Sequence, residues 1–366
     1  MPERALKRSL TNNKWLLASI GVVMSLLATE SRATKNKLET VRCDLCGSSD
    51  FILKFTATST EFKEAFRLVE CQNCGLVYLN PRPTKSEISK YYPQENYYAY
   101  QGLEDKEWNN FRQKVKNFIL ESQPGYVNDQ PFLRSLIWFF FQRNLMIQVP
   151  HVQSGRILDV GCGNGFFLKW LKEHGWETYG VEISEKACQV AQKNGLKVFN
   201  GELTEAKYPS DYFDVVVMNQ VLEHVYSPRN YFREIKRVLK PNGLLISCVP
   251  NFNCFESKLF GRYWLALEVP RHLNFFTAET LRKLAQTEGF QIEQIKSKSF
   301  GLPWSGIKKS VREAILLEFG PKKNFTAWER SLEYWLELVF LKPLHYLTTE
   351  DKEDFGFFIS LYARKK

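Results

Sequence analysis

Residues Arg156-Ile157-Leu158-Asp159-Val160-Gly161-Cys162-Gly163-Asn164-Gly165 decide the fold. An apolar run ends in an acid and a three-glycine turn, and an amphipathic stretch, Phe166 to His174, follows at once. A strand buried on both faces needs no polar alternation, so the pattern predicts a parallel strand running into a helix. Glycine lets backbone amides approach a ligand closely, and the helix N-terminus adds partial positive charge. A second strand, Glu177-Thr178-Tyr179-Gly180-Val181-Glu182, then ends in a carboxylate that can accept both hydroxyls of a ribose.

The stretch resembles the cofactor site of class I S-adenosylmethionine (SAM)-dependent methyltransferases, whose first strand carries acid-x-Gly-x-Gly-x-Gly. Nicotinamide-binding domains space their glycines Gly-x-Gly-x-x-Gly; here the third glycine comes one residue earlier, and an acid stands two residues before the first. The resemblance implies donor contacts from Asp159, Gly161, Cys162, Gly163 and Gly165, and a ribose contact from Glu182 with Ile183 beside it. After a third strand, Lys197 to Asn200, it implies an adenine-side acid at Glu202, next to Leu203; a solvated loop acid is the other reading. Asn219, closing a fourth strand that begins at Phe213, should face the methyl group, because open α/β sheets bind ligands at strand C-termini.

The 366 residues are 44% hydrophobic, enough for one ordinary domain with a large core and a smaller module. The net charge of +10 points first to nucleic acid or anionic membrane, but its location argues otherwise. Residues 1–40 hold seven Lys/Arg against three acids, and Arg364-Lys365-Lys366 close the chain, so the body between is nearly neutral. Nucleic acid is therefore not the expected partner. Eight cysteines in this length are no disulfide scaffold, and a reducing compartment fits them.

Residues 1–40 form a basic and hydrophobic extension. Arg4, Lys7, Arg8 and Lys14 precede an apolar run from Trp15 to Ala28, short of the ~20 residues that span a bilayer, with no clean small-x-small cleavage site after it. Cleaved export, a helix lying on the membrane surface and a merely packed extension are the three readings. Residues 41–83 contain Cys43-Asp44-Leu45-Cys46-Gly47 and Cys71-Gln72-Asn73-Cys74-Gly75. Two Cys-x-x-Cys-Gly knuckles supply four thiolates for one tetrahedral zinc, so a small zinc ribbon is expected, structural because no coordination position stays open.

Residues 84–150 read as a helical linker and cap, in which Leu136 to Phe141 is strongly apolar. Strands and helices alternate from residue 151 to the end at 366 in the doubly wound manner. The resemblance implies a Rossmann-like α/β sheet of seven strands in the order 3-2-1-4-5-7-6, with helical insertions. Val221-Leu222-Glu223-His224-Val225, continuing to Leu239-Lys240-Pro241-Asn242-Gly243, resembles the ubiquinone-pathway O-methyltransferases. Gln220 stands where those enzymes carry the first acid of Glu-x-x-Glu-His.

A loop from Asn251 to Thr277 contains Arg271-His272 and reads as a lid or substrate wall. His272, with the Arg271 cation beside it, is the first candidate for general base and His224 the second; a histidine that only caps the next helix is the bland alternative. An insertion at 305–347 carries a stripe of Trp328, Leu332, Trp335, Leu336 and Val339, expected as core, a homodimer face or a membrane-interface helix. The expectation is a SAM-dependent methyltransferase carrying structural zinc and acting on a small-molecule or saccharide acceptor, on oxygen. Its expected place is the cytoplasm, with peripheral contact at the inner membrane surface. RNA is the rival substrate and a silent scaffold the rival class.

Overall fold

The computed structural model describes residues 37–92, 118–123, 125–126, 132, 134–136, 146–298, 309–314, 317–318 and 356–366. The chain divides into two compact units, Met1–Lys37 and Leu38–Lys366, and only Lys37 of the first is described. The basic and apolar N-terminal extension, the apolar run 137–141 and the Trp328 stripe lie outside the described residues.

Five short strands come first: β1 (Leu38–Glu39), β2 (Phe51–Thr58), β3 (Ala65–Cys71), β4 (Val77–Leu79) and β5 (Arg82–Pro83). The α/β body then runs β6 (Arg156–Val160), α1 (Phe166–Glu173), β7 (Glu177–Glu182), α2 (Glu185–Lys193) and β8 (Lys197–Asn200). It continues with β9 (Phe213–Asn219), α3 (Pro228–Val238), β10 (Leu239–Pro250), α4 (Phe255–Phe260), β11 (Asn274–Phe275), α5 (Ala278–Thr287), β12 (Phe290–Lys298) and β13 (Phe358–Lys365).

Seven strands form one sheet in the order β8-β7-β6-β9-β10-β13-β12. The five from β8 to β10 are parallel, and β13 runs antiparallel to both neighbours, Leu361 opposite Ser247 and Ile295. The central strands are apolar on both faces because helices cover both. Helices α2, α3 and α5 begin where the sequence supplies a side-chain cap. Ser184 accepts from the Ala187 amide, Ser227 from Asn230 with Pro228 at the first turn, and Thr277 forms a capping box with Thr280. The Pro241-Asn242-Gly243 turn lies inside β10, which pairs Leu239 with Phe213, shifts register, and resumes at Leu244 opposite Val215. Asn242 takes the positive φ of 63° that this irregularity requires.

The second sheet, β11-β4-β3-β2, joins distant parts of the chain. β11 comes from the loop after α4, yet pairs antiparallel with β4 of the ribbon, Asn274 opposite Tyr78. One buried cluster accordingly holds Leu45, Val69 and Leu76 of the ribbon together with Phe276, Leu281 and Leu284 of the body. Asp44 reinforces the join: its carboxylate accepts from Ser227 Oγ at 2.8 Å and from the Arg229 amide at 2.9 Å, at the start of α3. An acid there satisfies an orphan helix donor and complements the helix dipole.

Candidate active site

The floor of the site is the turn between β6 and α1. Gly161 has φ 76°, and a Cβ there would lie 2.4 Å from Val221 Cγ2. Gly165 has φ 78°, and a Cβ there would lie 2.4 Å from Leu196 Cδ1. Both positions exclude side chains, by conformation and by space. Beyond the turn, Glu182 ends β7 with its carboxylate gripped by backbone: Gly163 N donates to one oxygen at 2.8 Å and Ser184 N to the other at 2.8 Å. Burial raises the Glu182 carboxyl while these amides pull it down. Asp159, also buried, is pushed up to about 8 by burial and then by the Glu182 charge.

A cavity of about 650 Å³ opens over this floor, within the range of small-molecule sites. Gly161, Gly163, Glu182, Ile183 and Glu202 line it from the sheet, and His224, Tyr226 and Asn230 from the loop after β9 and the start of α3. Ile183 is 62% exposed, an apolar surface beside Glu182. Glu202 faces the cavity but is engaged on both sides: it caps the helical turn at Leu203–Glu205 and receives Lys85 Nζ at 3.0 Å.

Four residues expected at the cofactor do not present side chains to the cavity, the buried Asp159 among them. The Cys162 thiol packs in a buried cluster with Leu168, Cys188 and Val198, and burial pushes it up. Leu203 is core, and Asn219 closes β9 opposite Cys248, with its Oδ1 buried and without a partner among the described residues.

The two histidines meet. His224 lines the cavity and His272 stands behind it, only 5% exposed, with ring centroids 4.6 Å apart and planes nearly perpendicular. His224 Nδ1 lies 3.1 Å from the Arg271 carbonyl and 3.0 Å from Tyr92 Oη; His272 Nδ1 lies 2.8 Å from the Ala266 carbonyl. A carbonyl only accepts, so each Nδ1 carries the hydrogen and each Nε2 is the basic nitrogen. Burial pulls His224 down to about 3, with His272 adding to it, and pulls His272 down to about 4. Of the two histidines only His224 lines the cavity, whereas the sequence reading put His272 first. His272 does not cap the following helix, since Thr277 does. Nor is Arg271 a spare cation for an anionic acceptor: it pairs with Glu61 at 3.0 Å and Glu268 at 3.6 Å.

One wall of the cavity was invisible in the sequence. Glu39, Asp44, Arg82, Lys85, Ile88 and Tyr92 line it from the ribbon and the segment leaving it. Arg82 donates to the Tyr226 carbonyl at 2.8 Å, and Tyr226 Oη donates to the Pro83 carbonyl at 2.8 Å. No spacing rule links residues more than a hundred positions apart; the β4–β11 pairing, the shared buried cluster and the Asp44 contacts bring them together.

In the ribbon, the sulfurs of Cys43, Cys46, Cys71 and Cys74 all lie within 4.8 Å of one another, and all eight cysteines of the chain are free. Gly47 N donates to the Cys43 carbonyl at 2.8 Å and Gly75 N to the Cys71 carbonyl at 2.9 Å, so both knuckles take the same turn. Close approach to Cys74, with burial, pushes the Cys43 thiol well up, and the same contact pulls Cys74 down to about 5.

Residues 130–295 match the family model described as a methyltransferase domain. A ubiquinone biosynthesis O-methyltransferase of Cereibacter sphaeroides is 29% identical over 178 residues, 45% of this chain and 72% of that one. A probable S-adenosylmethionine-dependent methyltransferase of Mycolicibacterium smegmatis is 29% identical over 160 residues, 42% of this chain and 60% of that one. Among solved structures, a SAM-dependent methyltransferase from Mesorhizobium loti aligns with a TM-score of 0.40 at 21% identity, covering 62% of this chain and 96% of that one. The chain is a SAM-dependent methyltransferase with a Rossmann-like α/β fold.

Proposed function

We propose that the enzyme methylates a hydroxyl group of a small-molecule or saccharide acceptor. The observation that carries this reading is the cavity itself, which continues from the Gly161–Glu182 floor past His224 to a polar wall of Asp44, Tyr226 and Asn230. The donor residues fit SAM: the Gly161 turn has no room for a side chain, and Glu182 is already oriented by two amides for a ribose diol. When bound, SAM supplies an activated methyl on a sulfonium, so the chain need build no nucleophile. Gly161 and Gly163 offer backbone to the donor, Glu182 holds its ribose, and Ile183 packs its adenine. His224, held in one tautomer by the Arg271 carbonyl, takes the proton of the acceptor hydroxyl through Nε2. Holding the acceptor in line and excluding water is worth ~7 kcal/mol or more of barrier, and a positioned base a further ~10²–10⁴-fold.

The C. sphaeroides relative, an O-methyltransferase by name, supports a hydroxyl acceptor. RNA is disfavoured because Arg82 and Lys85 are paired with Glu39 and Glu202, which leaves no free Lys or Arg among the described residues lining the cavity. The four ribbon thiols fit one zinc ion, with four thiolates and no open position, so its role is structural. No helix among the described residues is long and apolar enough to cross a membrane. We assign the enzyme to the cytoplasm, where the donor is made, and read the N-terminal basic and apolar segment as a peripheral contact with the inner membrane surface. Labelled SAM supplied to fractionated host extract tests the reading: label on oxygen in the small-molecule, glycan or lipid pool supports it. Label in RNA, or on nitrogen or carbon, overturns it.

A further inference from the structure

We propose that the carboxylate of Glu223 is where the acceptor's proton comes to rest, with His224 carrying it there from the cavity. The inference deepens the hydroxyl-methylation reading and rests on it.

Glu223 is 1% exposed, and neither carboxylate oxygen has a hydrogen-bond partner among the described residues. A buried acid without donors is costly, and structural acids are normally satisfied. Its backbone carbonyl, by contrast, is held twice: it accepts from the Leu273 amide at 2.8 Å and the Asn274 amide at 3.1 Å. The chain thus holds the residue yet gives its carboxylate no hydrogen-bond partner from another described residue. That carboxylate lies within 4.8 Å of one ring nitrogen each of His224 and His272, and only His224 of the three lines the cavity. The groups that face this cluster are His224 on the same loop, Glu268, Arg271 and His272 from the 266–272 segment, and Tyr92 from the ribbon exit.

His224 alone is a poor final proton store, because burial and its histidine neighbour oppose its charge. Burial, with Glu268 adding to it, favours the protonated form of Glu223, raising it to about 8. The step balances. The acceptor O–H bond breaks, its oxygen bonds the methyl carbon, and the carbon–sulfur pair of electrons stays on sulfur. The proton passes to His224 Nε2 and then to a Glu223 oxygen. A cationic donor and an anionic carboxylate become a neutral thioether and a neutral acid, which a water-poor site favours.

The test compares wild type, Glu223→Gln and Glu223→Asp in methyl transfer from labelled SAM to the acceptor-bearing extract fraction, between pH 6 and pH 10. Wild-type kcat should rise with pH towards about 8, as the carboxylate becomes free to accept. Glu223→Gln should lower kcat ~10- to 100-fold and flatten that rise, with S-adenosylhomocysteine affinity within about twofold of wild type. Glu223→Asp should be slower but keep the rise, and it serves alone if the Gln variant does not fold. A Gln variant within about threefold of wild type, or one that keeps the pH rise, overturns the proposal while the label stays on oxygen. Activity that appears only with added Mg²⁺ or Mn²⁺ also overturns it, because the carboxylate would then be serving a cation. Label on nitrogen, carbon or RNA with wild type instead sinks the hydroxyl reading itself.

Discussion

Glu182 and Gly161 do their work through backbone geometry. The Glu182 carboxylate bridges the Gly163 and Ser184 amides, so its orientation is fixed in advance of the ribose contact proposed for it. Glu182→Gln would keep the shape but turn an acceptor oxygen into a donor facing an amide. It should weaken S-adenosylhomocysteine binding by ~1.4–3 kcal/mol, roughly 10- to 150-fold, measurable by calorimetry. Gly161→Ala adds a methyl 2.4 Å from Val221 Cγ2 at a positive φ, and we expect it to destabilise by ~1–3 kcal/mol and to abolish donor binding. Both residues were legible in the sequence, because the acid and the glycine spacing are local. Glu223 was quoted there only as part of a motif, since nothing local reveals that a carboxylate will be buried without donors.

The element that organises the acceptor side is β11, two residues long. It pairs with β4, and Leu79 N donates to the Leu273 carbonyl at 3.0 Å, next to His272. Asn274 Nδ2 donates to the Val225 carbonyl at 2.8 Å, just past His224. The cysteine module therefore fixes both histidines, and loss of the zinc proposed for its four thiols should reach the chemistry. Chelation, or Cys43→Ser, should lower the melting temperature and methyl transfer together, where the sequence alone suggested a mainly structural loss. Methyl transfer that survives in the folded, zinc-free enzyme would contradict this coupling. Asp44→Ala removes two hydrogen bonds at the start of α3 and should cost ~1–2 kcal/mol in denaturant unfolding. The alternation of strands and helices in the body was readable from periodicity, and so were both knuckles. β3 and β11 were not. β11 is too short to carry a period, and its partner strand is far away in the chain.

For the whole molecule, buried titratable groups set the pH range of stability. Asp159 and Glu223 are raised to about 8, so each contributes stability that is lost as pH rises through that value. His224 and His272 are lowered to about 3 and about 4, so each contributes stability above the ordinary histidine range that is lost as pH falls. Between roughly pH 4.5 and 6.5 the two pairs oppose one another; above that the histidine contribution is complete, and the two acids should weaken the unliganded enzyme from pH 6.5 to 8 by up to ~2 kcal/mol each. Thermal unfolding across that range should show the decline, and Asp159→Asn with Glu223→Gln should flatten it. By itself the sequence determined the local frame at the floor of the cavity: an apolar strand, a glycine turn and an acid closing the next strand are short-range patterns, each dictated by backbone conformation and burial. The acceptor half was decided only in three dimensions. The wall from Asp44 to Tyr92, the meeting of His224 with His272, and the buried carboxylate of Glu223 all depend on contacts between distant segments. Such contacts follow from packing two sheets around a shared core, and that is a property no local stretch of residues carries.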